Sequence, residues 1–387
     1  MKEGWTYKKI KDVGEVIGGT TPSTTNPEFW GGDICWISPA ELHGDHYLYD
    51  SVKKITPKAV SAKSLKELPV GTVILSSRAP IGKIAINKVP MYCNQGFKCV
   101  VCGPELYNEF LYWWFYGKVD YLNSLGTGAT FKEISKTVVE NIVVPIAPLE
   151  EQKRIVERLD AAFENIDKLK ANAEKQLAEA QTLFQKSLAK AMEPKEGWEE
   201  KKMSEIYDVR DGTHDSPKYH ETGFPLVTSK NLRGGILDMS NVNFISESDY
   251  NAINQRSKVD VGDVLFAMIG TIGNPVYVEK EPGYAIKNMA LFKVPEYHSG
   301  KFLKYYLQNE VVLSKMQEEA KGTTQKFVSL GYLRNSIISI PPLFVQQRIV
   351  ERLDALSENI RKYEEFQRQI ISECDALKQA LLRKVFE

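Results

Sequence analysis

From Leu149 to Met192 the chain contains neither glycine nor proline, and Ile155, Leu159, Ala162, Ile166, Leu169 and Ala173 recur at alternating four- and three-residue steps. That spacing predicts a long helix with one narrow apolar seam. A second such run ends the chain: Ile349, Leu353, Leu356, Ile360, Tyr363, Gln367, Ile370, Cys374, Leu377 and Leu381, with two weak positions. About 40 helical residues make a rod of roughly 60 Å. A seam of this kind must be covered by another helix, so the two runs are expected to pair antiparallel as a coiled coil, with the globular parts at opposite ends of the rod. Glu193-Pro194-Lys195-Glu196-Gly197 stops the first run, because proline cannot continue a helix.

The segments before each helix are rich in glycine, proline and β-branched residues and read as mixed α/β domains built on short strands. Val70-Gly71-Thr72-Val73-Ile74-Leu75 answers Val261-Gly262-Asp263-Val264-Leu265-Phe266, in each case a turn glycine followed by a buried strand. Pro80-Ile81-Gly82-Lys83 likewise answers Thr271-Ile272-Gly273-Asn274, and Phe110-Leu111 answers Phe302-Leu303 at the start of an amphipathic helix. The aromatic run Tyr112 to Tyr116 reads as core packing rather than as a base-stacking platform. These matches belong to a duplication. Residues 154–160 and 348–354 both read Arg-Ile-Val-Glu-Arg-Leu-Asp, 194 positions apart. The expected architecture is therefore a pseudo-twofold tandem repeat of class α/β (α+β). Its parts are a first globular domain at 1–149, a spacer helix at 150–193, a second globular domain at 194–343 and a spacer helix at 344–387.

Composition adds mainly exclusions. A hydrophobic content of 43% is that of an ordinary globular chain, and no apolar run reaches membrane-spanning length. The N-terminus has no apolar leader segment and the five cysteines are scattered, so a soluble protein of the cytoplasm is expected. Cys99 and Cys102 form a lone CxxC that reads more simply as part of a buried strand than as a zinc site. Net charge is formally zero, and residues 1–149 carry 16 Lys/Arg against 14 Asp/Glu while residues 195–343 carry 18 against 19. Neither half has the basic excess of a stand-alone nucleic-acid binder.

No P-loop, GxGxxG, HExxH or GxSxG pattern is present. His43 and His46 read as a solvated loop pair. Asp211-Gly212-Thr213-His214-Asp215 has a catalytic look, but its counterpart Gly18-Gly19-Thr20-Thr21-Pro22 holds no acid or histidine. What is left is polar loop chemistry that can hold phosphates and read base edges, since Arg and Lys donate to guanine and Asn and Gln pair with adenine. The candidates in the first half are Ser38, Ser77, Arg78, Lys83, Asn94, Gln95, Thr127, Thr130 and Lys132. Those in the second half are Lys230, Asn231, Arg233, Thr271, Asn288, Thr323, Gln325 and Lys326.

The chain as a whole resembles the specificity subunit of type I restriction-modification systems. The resemblance rests on the tandem plan and on a signature at each domain-helix junction. In the first copy this is Gly126-Thr127 through Phe131, then Ile142 through Pro145 to Gln152, then Arg154-Ile155-Val156. In the second it is Gly322-Thr323 through Phe327, then Ile337 through Leu343, then Gln347-Arg348-Ile349, with Phe344-Val345 replacing Glu150-Glu151. The resemblance implies two target-recognition domains reading the halves of a split, asymmetric sequence in double-stranded DNA, and no catalysis by this chain. It also implies two methyltransferase subunits that bind S-adenosylmethionine, and two restriction subunits that use ATP and Mg, so that the chain itself needs no cofactor. Two other classes remain open at this level: a coiled-coil adaptor with paired ligand-binding domains, and a duplicated enzyme with an unrecognised site.

Overall fold

Val73–Leu75 is buried at every position, as a strand covered on both faces must be. In the computed structural model, which describes residues 4–128, 132–320 and 326–387, it lies inside a five-stranded sheet. The order is Gly14–Gly18, Lys98–Cys102, Val73–Leu75, Ile84–Asn87, Tyr47–Leu48. A smaller sheet places Trp30–Ile37 between Lys53–Ile55, which runs antiparallel to it, and Tyr92–Cys93, which runs parallel. Cys99 and Cys102 both belong to the Lys98–Cys102 strand.

The second half repeats the plan. Asp208–Asp211, Ala290–Lys293, Val264–Ala267 and Gly273–Tyr277 form the larger sheet in that order, and Phe224–Thr228 lies between Asn243–Ile245 and Ala285–Lys287 in the smaller one. Each domain is closed by a two-stranded antiparallel ribbon that ties its first strand to its last, Thr6–Lys9 with Val143–Ile146 and Glu199–Lys202 with Ile337–Ile340.

The aromatic helix Asn108–Gly117 packs as core: Phe110 and Phe115 are buried, and the Trp113 ring lies 4.4 Å from that of Phe163, tilted by 57°. Gly300–Gln308 is its counterpart, burying Phe302, Leu303, Tyr305 and Leu307. His43 is exposed but His46 is not solvated: its ring lies between Tyr47 and Tyr112, 4.2 and 3.7 Å away, and its Nε2 is 2.8 Å from the buried Glu109 carboxylate. Burial opposes ionisation of Glu109, but the hydrogen bond and charge of His46 and the Lys88 ammonium outweigh it and hold the carboxyl below its usual range. The stacking partner Tyr112 is 66 residues from His46 in sequence, which a linear reading does not bring together.

The two long helices run Leu149–Ala191 and Leu343–Phe386. Contacts divide the chain into one unit of Met1–Ala173 with Gln369–Glu387 and another of Glu174–Arg368, so each unit holds a globular domain and a segment of both helices. The helices pair antiparallel within both. In the first unit Lys170 Nζ donates to Asp375 Oδ1 at 2.7 Å and Lys378 pairs with Asp167. In the second, the Tyr363 hydroxyl donates to Gln176 at 2.8 Å.

The seam is offset from the one the sequence suggests. Its buried line runs Val156, Leu159, Phe163, Ile166, Ala173, Ala180, Phe184 and Leu188 in the first helix, and Val350, Leu353, Gln367, Cys374 and Leu382 in the second. Leu159, Ile166, Ala173, Leu353, Gln367 and Cys374 lie on it as expected. Ile155, Ala162, Ile349, Leu356, Ile360, Ile370 and Leu381 are only half-buried, Tyr363 is exposed, and Leu169 and Leu377 are 51% and 49% exposed. In the first helix every second expected position is one residue early, with Ile155, Ala162 and Leu169 standing beside Val156, Phe163 and Lys170. Lys170 and Lys378 occupy the true line, laying aliphatic stems along the seam while their ammonium groups reach Asp375 and Asp167.

Each domain is fastened to its helix by a buried glutamine. Gln152 Nε2 donates to the carbonyls of Glu105 and Ala147, both at 2.8 Å, and its Oε1 accepts the Tyr107 N–H at 2.8 Å. Gln346 does the same in the second copy, bonding His298 Nδ1, the Pro341 carbonyl and the Ser299 N–H. The repeated aspartate adds a second fastening: Trp113 Nε1 donates to Asp160 at 2.8 Å, and the Tyr305 hydroxyl and Lys301 Nζ donate to Asp354 at 2.6 and 3.0 Å.

Gln152→Leu keeps the volume but strands a buried N–H and two carbonyls, at a cost of about 3 kcal/mol. Trp5, Trp30, Trp36, Trp113 and Trp114 lie in the first unit. Urea unfolding followed by tryptophan fluorescence is expected to show the main transition at lower urea for Gln152→Leu, and little change in it for Gln346→Leu.

Candidate nucleic-acid interface

In the first domain four loops meet beyond one end of the larger sheet. Ser77 donates its N–H and its hydroxyl to the Gly96 carbonyl, at 2.8 and 3.0 Å, and its own carbonyl accepts the Ile134 N–H at 2.9 Å, tying the 76–83, 94–98 and 132–134 segments together. Lys83 Nζ then holds the 39–42 turn by donating to the Pro39 and Leu42 carbonyls at 3.2 and 2.8 Å. Thr127 and Glu133 exchange backbone hydrogen bonds of 3.1 and 2.9 Å.

Most of the first-half candidates are thus brought together, but with different duties. Ser77 is fully buried and fastens loops, a correction to its expected role as a contact. Lys83 is spent on two carbonyls. Ser38 caps the short turn Pro39–Glu41 through Glu41 Oε1, and Asn94 Oδ1 accepts the Gly96 N–H at 2.8 Å. Gln95 receives the Thr21 hydroxyl. Arg78 and Lys132 are the cations that project outward; Arg78 lies 3.8 Å from Glu133, whose other oxygen is 3.1 Å from Lys98. Thr130 lies outside the described residues, as do Thr323 and Gln325.

In the second domain Asn231 is also corrected. It is buried, its Oδ1 accepts the Thr228 N–H at 2.9 Å, and its Nδ2 donates to the Asp238 and Asn241 carbonyls at 2.9 and 3.0 Å, so no valence is left for a base. Lys230, Arg233, Thr271 and Lys326 are exposed. Asn288 has a left-handed backbone, φ 54°, its carbonyl accepts the Ser229 hydroxyl at 2.7 Å, and its Oδ1 is 2.9 Å from His214 Nδ1.

Linear reading missed Glu133, Lys98, Asp211, His214 and Arg256 as members of these loop clusters, because, the Asp211–His214 pair apart, the partners that join them are 35 or more residues away. That pair was visible in the Asp-Gly-Thr-His-Asp segment. His214 Nε2 is 2.8 Å from Asp211, whose other oxygen holds Arg256. With Asn288 on Nδ1 and Asp211 on Nε2, both imidazole nitrogens are engaged, which suits a loop brace rather than a general base. The hydrogen bonds to Asp211 and then Asn288 raise the His214 pKa above its ordinary 6.5. Burial works against the charge on Asp211, but His214 and Arg256 hold its carboxyl below the usual range.

The model of the type I restriction modification DNA specificity domain matches twice, over residues 2–179 and 195–370. The chain belongs to this specificity-subunit family. The MjaIX specificity subunit of Methanocaldococcus jannaschii is 31% identical over 93% of this chain and 88% of its own length. The EcoKI specificity subunit of Escherichia coli K12 is 26% identical over 100% and 89%. A chain from a solved type I R-M system shares the fold with a TM-score of 0.82 at 22% identity, covering 100% of this chain and 98% of its own. The HsdS subunit of Thermoanaerobacter tengcongensis does so at 0.64 and 21%, covering 100% and 97%. As a specificity subunit the chain is non-catalytic and carries two DNA recognition domains; the enzymatic activities of such systems belong to partner subunits. Among the described residues no helix is long and apolar enough to cross a membrane.

Because the His214 pKa is raised, its contribution to bracing the loop is complete below the ordinary imidazole value and is lost as pH rises through the raised one. An NMR titration is expected to place His214 above 6.5, and Asp211→Asn to bring it down.

Proposed function

We propose that residues 1–149 and 194–343 each read one half of a bipartite, asymmetric site in double-stranded DNA, and that the helices at 150–193 and 344–387 set the gap between the halves. The observation that carries this is the contrast between frame and loops: both domains share a larger and a smaller sheet, a closing ribbon and a glutamine fastening, while their exposed loops carry different side chains. A frame held constant under variable loops suits two readings of different sequences. Half-sites on one side of B-DNA lie about one helical turn apart, which demands a stiff spacer rather than a flexible one.

The partners are two methyltransferase subunits, with two restriction subunits completing the system. S-adenosylmethionine, ATP and Mg belong to those subunits, and the assembly works in the cytoplasm. The docking surface for the methyltransferases is the outward side of the repeated heptapeptide, where Arg154, Glu157 and Arg158 are exposed in the first copy and Arg348, Glu351 and Arg352 in the second. The apolar stripe beside the seam adjoins it, with Leu169 and Leu377 exposed in one unit and Leu183 and Phe366 in the other. A duplicated surface accepts two copies of one partner. The near-zero net charge fits such an assembly, since partner subunits that close around the duplex can share the phosphate contacts.

Methylome sequencing of a host expressing the chain with its methyltransferase subunit is expected to show one bipartite motif. Deleting one heptad from each helix, about 10 Å of rod, shortens the gap by about three base pairs and leaves both half-sites unchanged. Replacing residues 195–343 with those of a relative is expected to alter one half-site only. An unchanged gap after deletion, or two altered half-sites after replacement, would contradict this division of labour.

A further inference from the structure

The loop frames of the two domains superimpose in their hydrogen bonding at one position where their side chains have opposite chemistry. In the first domain the Ile134 N–H donates to the Ser77 carbonyl at 2.9 Å and Arg78 forms an antiparallel bridge with Glu133. In the second the Val328 N–H donates to the Met268 carbonyl at 2.9 Å and Ile269 forms the same bridge with Phe327. The flanks are shared: Lys132 and Lys326 precede the bridge and are exposed, while Ser135 and Ser329 follow it and cap the next helix by accepting from Val138 and Tyr332. Between the shared lysine and serine, a cation and a carboxylate in one copy stand where two apolar side chains stand in the other.

We infer that the bridged pairs, Arg78 with Glu133 and Ile269 with Phe327, are specificity-determining residues, the first reading a G·C pair in one half-site and the second an A·T pair in the other. This rests on the domains being DNA readers as proposed above. The Arg78 side chain is 35% exposed with its Nη1 3.8 Å from Glu133 Oε2, near enough for charge attraction without a hydrogen bond, while Lys98, 11% exposed, takes the other oxygen of that carboxylate at 3.1 Å. The guanidinium therefore keeps its donors for guanine O6 and N7. Phe327 is 40% exposed on a loop beside Ile269, an apolar pair that water solvates poorly and that a thymine methyl would cover. Because an isolated backbone bridge between two loops holds each pair, exchange of side chains changes the chemistry presented without changing that bridge.

The test uses the complete chain co-expressed with its methyltransferase subunit in a host lacking other methylation, read by methylome sequencing. Arg78→Lys keeps the charge and the Glu133 pair but loses the two-pronged donor. It is expected to weaken the preference for guanine at one position of one half-site by about ten- to a hundredfold, leaving the other half-site as in the wild type. The double change Arg78→Ile with Glu133→Phe is expected to move that position to A·T, and Phe327→Glu to disturb only the opposite half-site. Methylation of unaltered half-sites by Arg78→Lys and Phe327→Glu overturns the inference while leaving the two-domain reading intact. A wild-type chain that directs no bipartite methylation removes that reading, and this inference with it.

Discussion

Everything outside the two domains takes its direction from one buried amide in each copy. Gln152 and Gln346 sit at the first turn of a long helix, inaccessible to water, and each closes three hydrogen bonds between that turn and the domain before it. A buried amide left unpaired costs more than a made bond contributes, so the chain cannot rotate the helix against the domain without stranding polar groups. The aspartate that ends the repeated heptapeptide reinforces this about two turns further on, receiving Trp113 in one copy and Tyr305 in the other. Different donors meeting the same acceptor show which partner the repeat conserves: the helix side of the junction is constant, and the domain side adapts to it.

The fold was largely legible in the sequence, since an offset of about 194 residues links heptapeptide, strand and helix landmarks in both halves. The seam was legible in period but not in phase. Ile155, Ala162 and Leu169 look like better seam residues than Val156, Phe163 and Lys170, and only packing distinguishes them. Lysine scores as polar in any pattern, yet Lys170 and Lys378 bury their stems because Asp375 and Asp167 receive their charges. The displaced residues were not misread as apolar. They form a second stripe, half-buried at most positions and exposed at Leu169, Tyr363 and Leu377.

The loops were legible as polar and located, but not in their division of labour. Ser77, Lys83 and Asn231 have the residue types that contact nucleic acid and spend them on carbonyls and N–H groups of neighbouring turns. Polar side chains at loop ends satisfy the backbone first, because a turn that abandons its sheet ladder leaves donors and acceptors that need partners. Which side chains are left over depends on contacts such as Ser77 to Gly96 and Ile134, beyond the reach of a linear pattern.

Once those structural claims are subtracted, the outward chemistry of each domain is small. Among the loop groups of the first, Arg78 and Lys132 project, with Glu133 beside Arg78; in the second, Lys230, Arg233, Thr271, Lys326 and the apolar Phe327 project. These loop groups alone are few, and a chain with 50 basic and 50 acidic residues carries no net charge to add. Affinity and discrimination are therefore separable here. A frame that supplies geometry and a few side chains that supply discrimination can be weak alone and selective in an assembly, provided that the partner brings the positive charge.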